Sequence, residues 1–301
     1  MEDKKIIRVK TITEGHRMQQ LPMPAHPLIS IIDVADLKGA PGVSVVLEFY
    51  TISMKRNSDG FIYGHQPYDF DGGLMAFMAP NQVAQGRQGG PNPNMTGWML
   101  FVHPDLLWNT PLATKIKEYE YFNYSTNEAL FLSEKEEAVI NEIIANIKHE
   151  YNANIDNFSQ TIIIAHLETL FSYAERFYNR QFITRKKASH QILNRLEKLL
   201  SDYFNSDDLV TKGLPSVQYI ADSLNVSQGY LSSLLKVLTG QSTQQHIHEK
   251  LIAKAKEKLS TTNLSVGEIA YQLGFEHPQS FSKFFKAKAN VSPLEFRQSF
   301  N

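Results

Sequence analysis

The chain contains no cysteine. That absence excludes disulfide scaffolding, thiol catalysis and cysteine-ligated zinc together, and it fits a reducing compartment. Long apolar runs are missing too: Ile162-Ile163-Ile164-Ala165 is the longest aliphatic run, far below the ~18 residues of a bilayer span. The opening Met1-Glu2-Asp3-Lys4-Lys5 has no apolar stretch of a secretory signal. The expectation is a cytoplasmic protein with no membrane partner. Charge of one sign is also lacking, with 30 Lys+Arg against 31 Asp+Glu and a net charge of -1, so bulk charge announces neither nucleic acid nor an anionic surface. What is present is ample core material. The 301 residues are 42% hydrophobic and 11% aromatic, which at ~100–200 residues per domain suggests two domains.

Residues 1 to 125 carry most of the prolines and glycines, and their apolar residues come in short runs broken by turn signals, as in a sandwich or barrel. Strands are expected at Leu28 to Val34, Val43 to Met54, Leu74 to Met78 and Trp98 to Val102. Asn57-Ser58-Asp59-Gly60 and Asp71-Gly72-Gly73 supply hairpin-type turn residues. After Tyr124 the period becomes helical. Ser133-Glu134-Lys135-Glu136 reads as a capping box ahead of the stripe Val139, Ile140, Ile143, Ile144 and Ile147. Ile163, Leu167, Leu170, Phe171, Ala174 and Phe177 mark a second helix over 159 to 182, and these two helices pack on the barrel or on a second subunit. Arg185-Lys186-Lys187 reads as a charged connector before a third stripe, Ile192, Leu193, Leu196, Leu199 and Leu200. The domain reading is 1–125, 126–184 and 188–301.

The charge average conceals two unlike parts. Residues 212 to 301 hold 10 Lys+Arg and 6 Asp+Glu, a surplus of +4, which leaves 20 and 25, or -5, for residues 1 to 211. The basic part also repeats itself. Ile220-Ala221-Asp222-Ser223-Leu224-Asn225-Val226 aligns with Ile269-Ala270-Tyr271-Gln272-Leu273-Gly274-Phe275 at an offset of 49, and Leu231-Ser232-Ser233-Leu234-Leu235-Lys236 with Phe281-Ser282-Lys283-Phe284-Phe285-Lys286 at 50. Each copy reads as a helix, a tight turn and a second helix. Ser216 and Ser265 stand as N-caps, and Asn225 and Gly274 as left-handed turn residues. The alanine in each first helix permits a close crossing. This is helix-turn-helix spacing, whose second helix enters the major groove. The stripe Ile247, Leu251, Ile252, Ala255 and Leu259 predicts a long connecting helix that fixes two recognition helices for grooves ~34 Å apart.

Residues 190 to 301 resemble the DNA-binding domain of AraC/XylS-type transcriptional regulators. The resemblance rests on Ser265 to Phe275, on Phe281 to Lys286 and on Ser292-Pro293-Leu294-Glu295-Phe296-Arg297. Leu235, Lys250 and Asn290 depart from the family pattern of phenylalanine, arginine and glycine, all mildly. The N-terminal half is similar in layout to the cupin-like effector and dimerisation domain of such regulators, including Asp71-Gly72-Gly73-Leu74-Met75-Ala76-Phe77-Met78-Ala79-Pro80. The fold expected is therefore α+β in two domains: an N-terminal cupin-like β-barrel with C-terminal helices, then an all-α domain of two helix-turn-helix units. The resemblance implies a transcriptional regulator, an activator more often than a repressor, that binds double-stranded DNA, contacts RNA polymerase, forms a homodimer and answers a small-molecule effector without catalysis or cofactor.

The outward residues of the second helices are the candidate DNA contacts: Ser227, Gln228, Gly229, Ser232, Ser233 and Lys236 in the first unit, and His277, Gln279, Ser280, Ser282, Lys283 and Lys286 in the second. Gln228 and Gln279 match adenine, and Lys236 and Lys286 match phosphate. The plain alternative for Ser227 is a helix cap. Arg297 reads as a phosphate clamp or as a partner of a helix C-terminus. Glu48, Tyr50, Tyr63, His65 and Trp98 are the effector candidates, with Glu48 and Tyr50 placed on one strand face by alternation; the alternative is filled core. A metal-dependent cupin-type enzyme fused to a DNA-binding module is the competing class. Its ligand spacing is missing, because His16, His26, His65 and His103 stand singly as surface or turn histidines, and His246-x-His248 falls on a helix where the two diverge. Gly86-Arg87-Gln88-Gly89-Gly90 lacks the Lys-Ser/Thr of a phosphate loop and reads as a mobile loop. A sequence-indifferent architectural protein is the third reading, separable by salt dependence.

Overall fold

The computed structural model describes residues 6–38, 43–57, 73–85, 94–125, 128–153, 156 and 158–299. The chain divides into two compact units, Met1–Gln181 and Phe182–Asn301.

The first unit contains β1 (Ile6–Val9), α1 (Ile12–Met18), β2 (Ile29–Asp33), β3 (Ser44–Leu47), β4 (Tyr50–Arg56), β5 (Leu74–Met78), β6 (Val83–Gln85), β7 (Thr96–Val102), α2 (Leu112–Lys115), β8 (Leu130–Phe131) and α3 (Glu134–Asn152), and most of α4 (Ser159–Thr184). The expected closed barrel is not found among the described residues. The strands form two open sheets instead, of order β1-β3-β6 and β2-β7-β4-β5-β8. The single strand expected over Val43 to Met54 is two. β3 pairs in parallel with β1, while β4 is central in the larger sheet between β5 and β7. Glu48 and Phe49 carry the chain across. The Glu48 backbone N–H donates to the Val9 carbonyl at 3.0 Å, and the Phe49 ring meets Phe101 edge-on at 5.4 Å inside a core with Val9, Ile12 and Ile32.

β4 is buried on both faces, since Tyr50, Thr51, Ile52, Ser53 and Met54 are all buried. Helix α3 is tied to this sheet by polar contacts as well as by its apolar stripe. Its capping box forms as expected from Ser133 and Glu136. The buried Glu137 carboxylate accepts two close hydrogen bonds from the Arg56 guanidinium, at 2.8 and 2.9 Å, and a third from the Gly73 backbone N–H at 2.8 Å. Asn141, one turn on, accepts from the Trp98 indole at 2.9 Å. Gly73 packs closely at this junction: a Cβ there would lie 2.6 Å from Met54 Sδ and 3.1 Å from Glu137 Oε2, so a side chain would displace the Met54 thioether. Arg180 of α4 ties the helices together, reaching Glu136 at 2.6 Å and the Phe131 carbonyl at 2.7 Å. Phe77, Tyr119, Tyr121, Phe122, Phe171 and Tyr178 form a continuous aromatic core beside β5.

The second unit is helical: α5 (Lys186–Asn205), α6 (Asp208–Lys212), α7 (Val217–Leu224), α8 (Gln228–Thr239), α9 (Thr243–Thr261), α10 (Val266–Gln272), α11 (Pro278–Ala289) and α12 (Pro293–Gln298). The charged connector expected at 185–187 is helical from Lys186 onward. No described helix is long and apolar enough to cross a membrane.

Candidate nucleic-acid interface

The two halves of the second unit fold by the same local rules. Ser216 caps α7 by accepting from the Tyr219 N–H, and Ser265 caps α10 in a reciprocal box with Glu268. Those bonds to the capping serine hold the Glu268 carboxyl below its usual range. Each first helix then ends in a left-handed residue, Asn225 at φ 57° and Gly274 at φ 78°. The next N–H folds back identically in the two copies: Val226 donates to Ala221 and Phe275 to Ala270, both at 3.0 Å. This is the bond that closes a helix with a left-handed cap. Gly274 carries a second constraint that Asn225 does not. A Cβ at Gly274 would lie 2.5 Å from the Leu209 carbonyl oxygen and 3.1 Å from Gly213 Cα, so the turn packs directly on backbone.

The second helices repeat as well. α8 and α11 end in left-handed Gly240 and Asn290, whose N–H groups donate to the Lys236 and Lys286 carbonyls at 3.0 Å. Asn290, a departure from the family pattern, thus adopts the conformation a glycine would. Ser242 and Ser292 follow, each in a capping box, with Gln245 and with Glu295. Leu231, Leu234, Leu235, Phe281 and Phe285 are buried as the repeat requires. Phe284 is only half-buried and meets His248 edge-on at 5.0 Å.

The candidate DNA residues lie on the outer surfaces of α8 and α11. Gln228, Lys236, His277, Gln279, Ser280, Lys283 and Lys286 are exposed, and Ser227, Gly229, Ser232, Ser233 and Ser282 are half-buried. Ser227 caps α8 by accepting from the Tyr230 N–H at 3.2 Å. His277 holds the equivalent place in α11 without a side-chain cap, ahead of Pro278 at the first helical position. Gln228 hydrogen-bonds Gln218, whereas Gln279 has no hydrogen-bond partner among the described residues. The Ser282 hydroxyl donates to the Pro278 carbonyl at 3.0 Å, so its proton is used inside the helix.

Other cations of this unit have structural work. Arg297 donates to the Leu259 and Leu264 carbonyls at 3.2 and 2.6 Å, closing the C-terminal end of α9. On α9, Lys254 reaches Asn205 at 2.9 Å, Lys258 reaches Gln272 at 2.7 Å and Lys256 sits 5.6 Å from the Phe296 ring centre.

Among the described residues, the effector candidates Glu48, Tyr50 and Trp98 are not gathered into one site. Tyr63 and His65 lie outside the described residues, as do residues 86–90. Glu48 and Tyr50 do not share a strand face, since the chain changes sheets between them. Glu48 pairs with Arg8 at 3.1 Å at the surface, while Tyr50 is buried against Phe122 at 5.2 Å, and burial raises its pKa. Trp98 spends its indole N–H on Asn141. In Thr51-Ile52-Ser53 both hydroxyl residues are buried, and the Thr51 Oγ1 has no hydrogen-bond partner among the described residues. His16 corrects the reading of surface histidines. It is 4% exposed and bridges Ser30 Oγ and the Pro22 carbonyl. His246 contacts Thr239 and His248 contacts Gln244, each at 3.0 Å, so the pair diverges. Among the described residues no group of three or more His, Asp or Glu is placed to hold a metal.

A family model described as a helix-turn-helix domain matches residues 220–299. The HTH-type transcriptional activator RhaS of an Enterobacter species is 33% identical over 106 residues, 35% of this chain and 36% of that protein. A protein named Histidine kinase P4, from Formosa agariphila, is 25% identical over 210 residues, 66% of this chain and 14% of that protein. This chain thus spans little more than a third of the first and a seventh of the second. Among solved structures, the C-terminal domain of the response regulator yesN from Fusobacterium nucleatum is 32% identical; the match covers 37% of this chain and 98% of that one, with a TM-score of 0.30. Residues 220–299 thus form a helix-turn-helix domain of the AraC type.

Proposed function

We propose that the chain is a sequence-specific DNA-binding transcriptional regulator that presents α8 and α11 to two successive major grooves. The observation that carries this reading is the duplicated unit: two helix pairs whose first helices share a serine cap and a left-handed end, with Leu231 and Leu235 in one and Phe281 and Phe285 in the other buried alike, each leaving an exposed polar surface on its second helix. In this reading Gln279, with its amide uncommitted, reads a base edge, and Lys283 and Lys286 meet the backbone or a base beside it. Gln228 must first give up Gln218. Ser227, Gly229, Ser232, Ser233 and Lys236 form the opposing surface of α8, and His277, Ser280 and Ser282 that of α11. Residues 1–125 sense a small molecule, 126–184 dimerise, and 188–301 bind DNA and contact RNA polymerase in activation. The effector acts by binding one arrangement of the protein more tightly than another.

The test is to replace Gln279 and Lys283 with alanine, singly, and to measure binding to a selected DNA site and to random duplex at fixed salt. Loss of about 1–3 kcal/mol on the selected site with little change on random DNA is expected for Gln279→Ala. Equal weakening on both DNAs for both variants would show that these residues do not read sequence.

A further inference from the structure

Three exposed side chains where α7 meets α8 form a hydrogen-bonded row. Gln218 and Asp222 stand one turn apart on α7, and the Gln218 Nε2 donates to the Asp222 Oδ1 at 2.7 Å. The Gln218 Oε1 in turn accepts from the Nε2 of Gln228, the first residue of α8. The direction of this row is set at one end. A carboxylate only accepts, so Asp222 takes the amino end of the Gln218 amide and turns its carbonyl toward α8, and that carbonyl holds Gln228 only through an N–H. Gln228 therefore shows its Oε1 outward, and this oxygen has no hydrogen-bond partner among the described residues.

The fold does not require the row. In the second unit the corresponding places are taken by Gly267, Tyr271 and Pro278. Gly267 and Pro278 are again neighbours, since a Cβ on the glycine would lie 3.7 Å from the proline Cγ. That unit makes its serine cap and left-handed turn with no amide or carboxylate at any of the three places. The row in the first unit thus serves the exposed surface of α8. An outward carbonyl oxygen needs a donor. In the major groove adenine N6 and cytosine N4 supply one, whereas guanine O6 and thymine O4 are acceptors. Adenine also places its N7 acceptor beside the donor, where it takes the amide N–H as Gln228 leaves Gln218. We propose that Asp222, acting through Gln218, makes Gln228 select adenine, so that two residues of α7 set the base preference of the α8 part of the site without touching a base. The proposal rests on the regulator reading above and adds to it the positioning residues that choose one base.

The test uses the full chain and four duplexes that differ only at the position Gln228→Ala relaxes. The readout is the ratio of affinities among the four, so a change in the amount of folded protein or in general attraction to phosphate cancels. The unaltered chain is expected to hold adenine roughly tenfold more tightly than guanine or thymine. Gln218→Glu, which only accepts, keeps that preference. Gln218→Lys, which only donates and pairs with Asp222 one turn on, turns the Gln228 amide around and moves the preference to guanine or thymine. Asp222→Glu keeps the adenine preference and Asp222→Ala shrinks it. The same preference in the Gln218→Glu and Gln218→Lys variants, an undiminished one in Asp222→Ala, or no position relaxed by Gln228→Ala would overturn the proposal and leave the regulator reading standing. Binding that ignores sequence at every position would overturn both.

Discussion

Replacing Gly274 by alanine isolates the one turn in the DNA-binding unit where backbone lies against backbone. Two costs add. The left-handed conformation at φ 78° penalises a side chain by about 1–2 kcal/mol. The new Cβ also falls 2.5 Å from the Leu209 carbonyl oxygen, almost 1 Å inside an ordinary contact, which an overpacked site relieves at roughly 1–3 kcal/mol. The total is about 2–5 kcal/mol, a large fraction of a domain stability of ~5–15 kcal/mol. Gly240 supplies the control. It has nearly the same conformation, φ 74°, with nothing within 4 Å of its Cβ position, so Gly240→Ala carries the first cost alone, about 1–2 kcal/mol. Urea unfolding of the full chain separates the units by probe. Both tryptophans, Trp98 and Trp108, lie in the first unit, so tryptophan fluorescence follows that unit and far-ultraviolet circular dichroism follows the helices of both. Gly274→Ala should move the helical transition by at least about 1 M and leave the fluorescence transition in place. Equal effects of the two alanines would refute the argument that close backbone approach fixes this glycine.

Other outcomes follow from the same geometry. Arg297→Met should cost about 1–3 kcal/mol of stability by stripping two carbonyls of their donor while leaving the salt dependence of DNA binding unchanged; a shallower salt slope would make Arg297 a phosphate contact. Glu137→Gln should destabilise the first unit by about 2–3 kcal/mol, read as an earlier loss of the Trp98 fluorescence signal, and an unchanged midpoint would contradict the Arg56–Glu137–Gly73 junction. Burial, and then the nearby Lys288, hold the His248 pKa below 6.5. The folded state binds fewer protons there than the unfolded one, so its contribution is full above pH 6.5 and is lost as pH falls through the depressed value. His248→Gln should therefore flatten the fall of melting temperature between pH 7.5 and 5.5, and a parallel fall would remove His248 from the account. Lys286→Ala should reduce the salt slope of DNA binding by about 1, measured by titration at several salt concentrations.

The second unit was legible because its signals are local. Serine caps, a glutamate three residues on, asparagine or glycine after the helix: each acts within one turn, and the offset of 49 then 50 repeats them. Even Asn225 and Asn290 declare their left-handed conformation in residue type. The first unit was less legible because its decisive contacts are long-range. Nothing between Val43 and Met54 marks a turn, since Glu48 and Phe49 change sheets through a hydrogen bond to Val9 and a ring contact to Phe101. Once β4 is buried on both faces, alternation no longer tells inside from outside, and the expectation that Glu48 and Tyr50 share a surface fails where the chain changes sheets. Glu137 is buried by partners distant in sequence, since Arg56 and Gly73 lie 81 and 64 residues away. His16 likewise becomes a buried bridge only when Ser30 is brought beside it.

Selection of bound duplexes from a random DNA pool by the full chain tests the central claim most directly. Two recognition helices on one rigid unit predict an enriched site in two short parts, centred about 10 base pairs apart, with Gln279→Ala relaxing one position in one part only. Recovery of a single uninterrupted motif, or of no enriched sequence at physiological salt, would contradict the claim that α8 and α11 both read the groove.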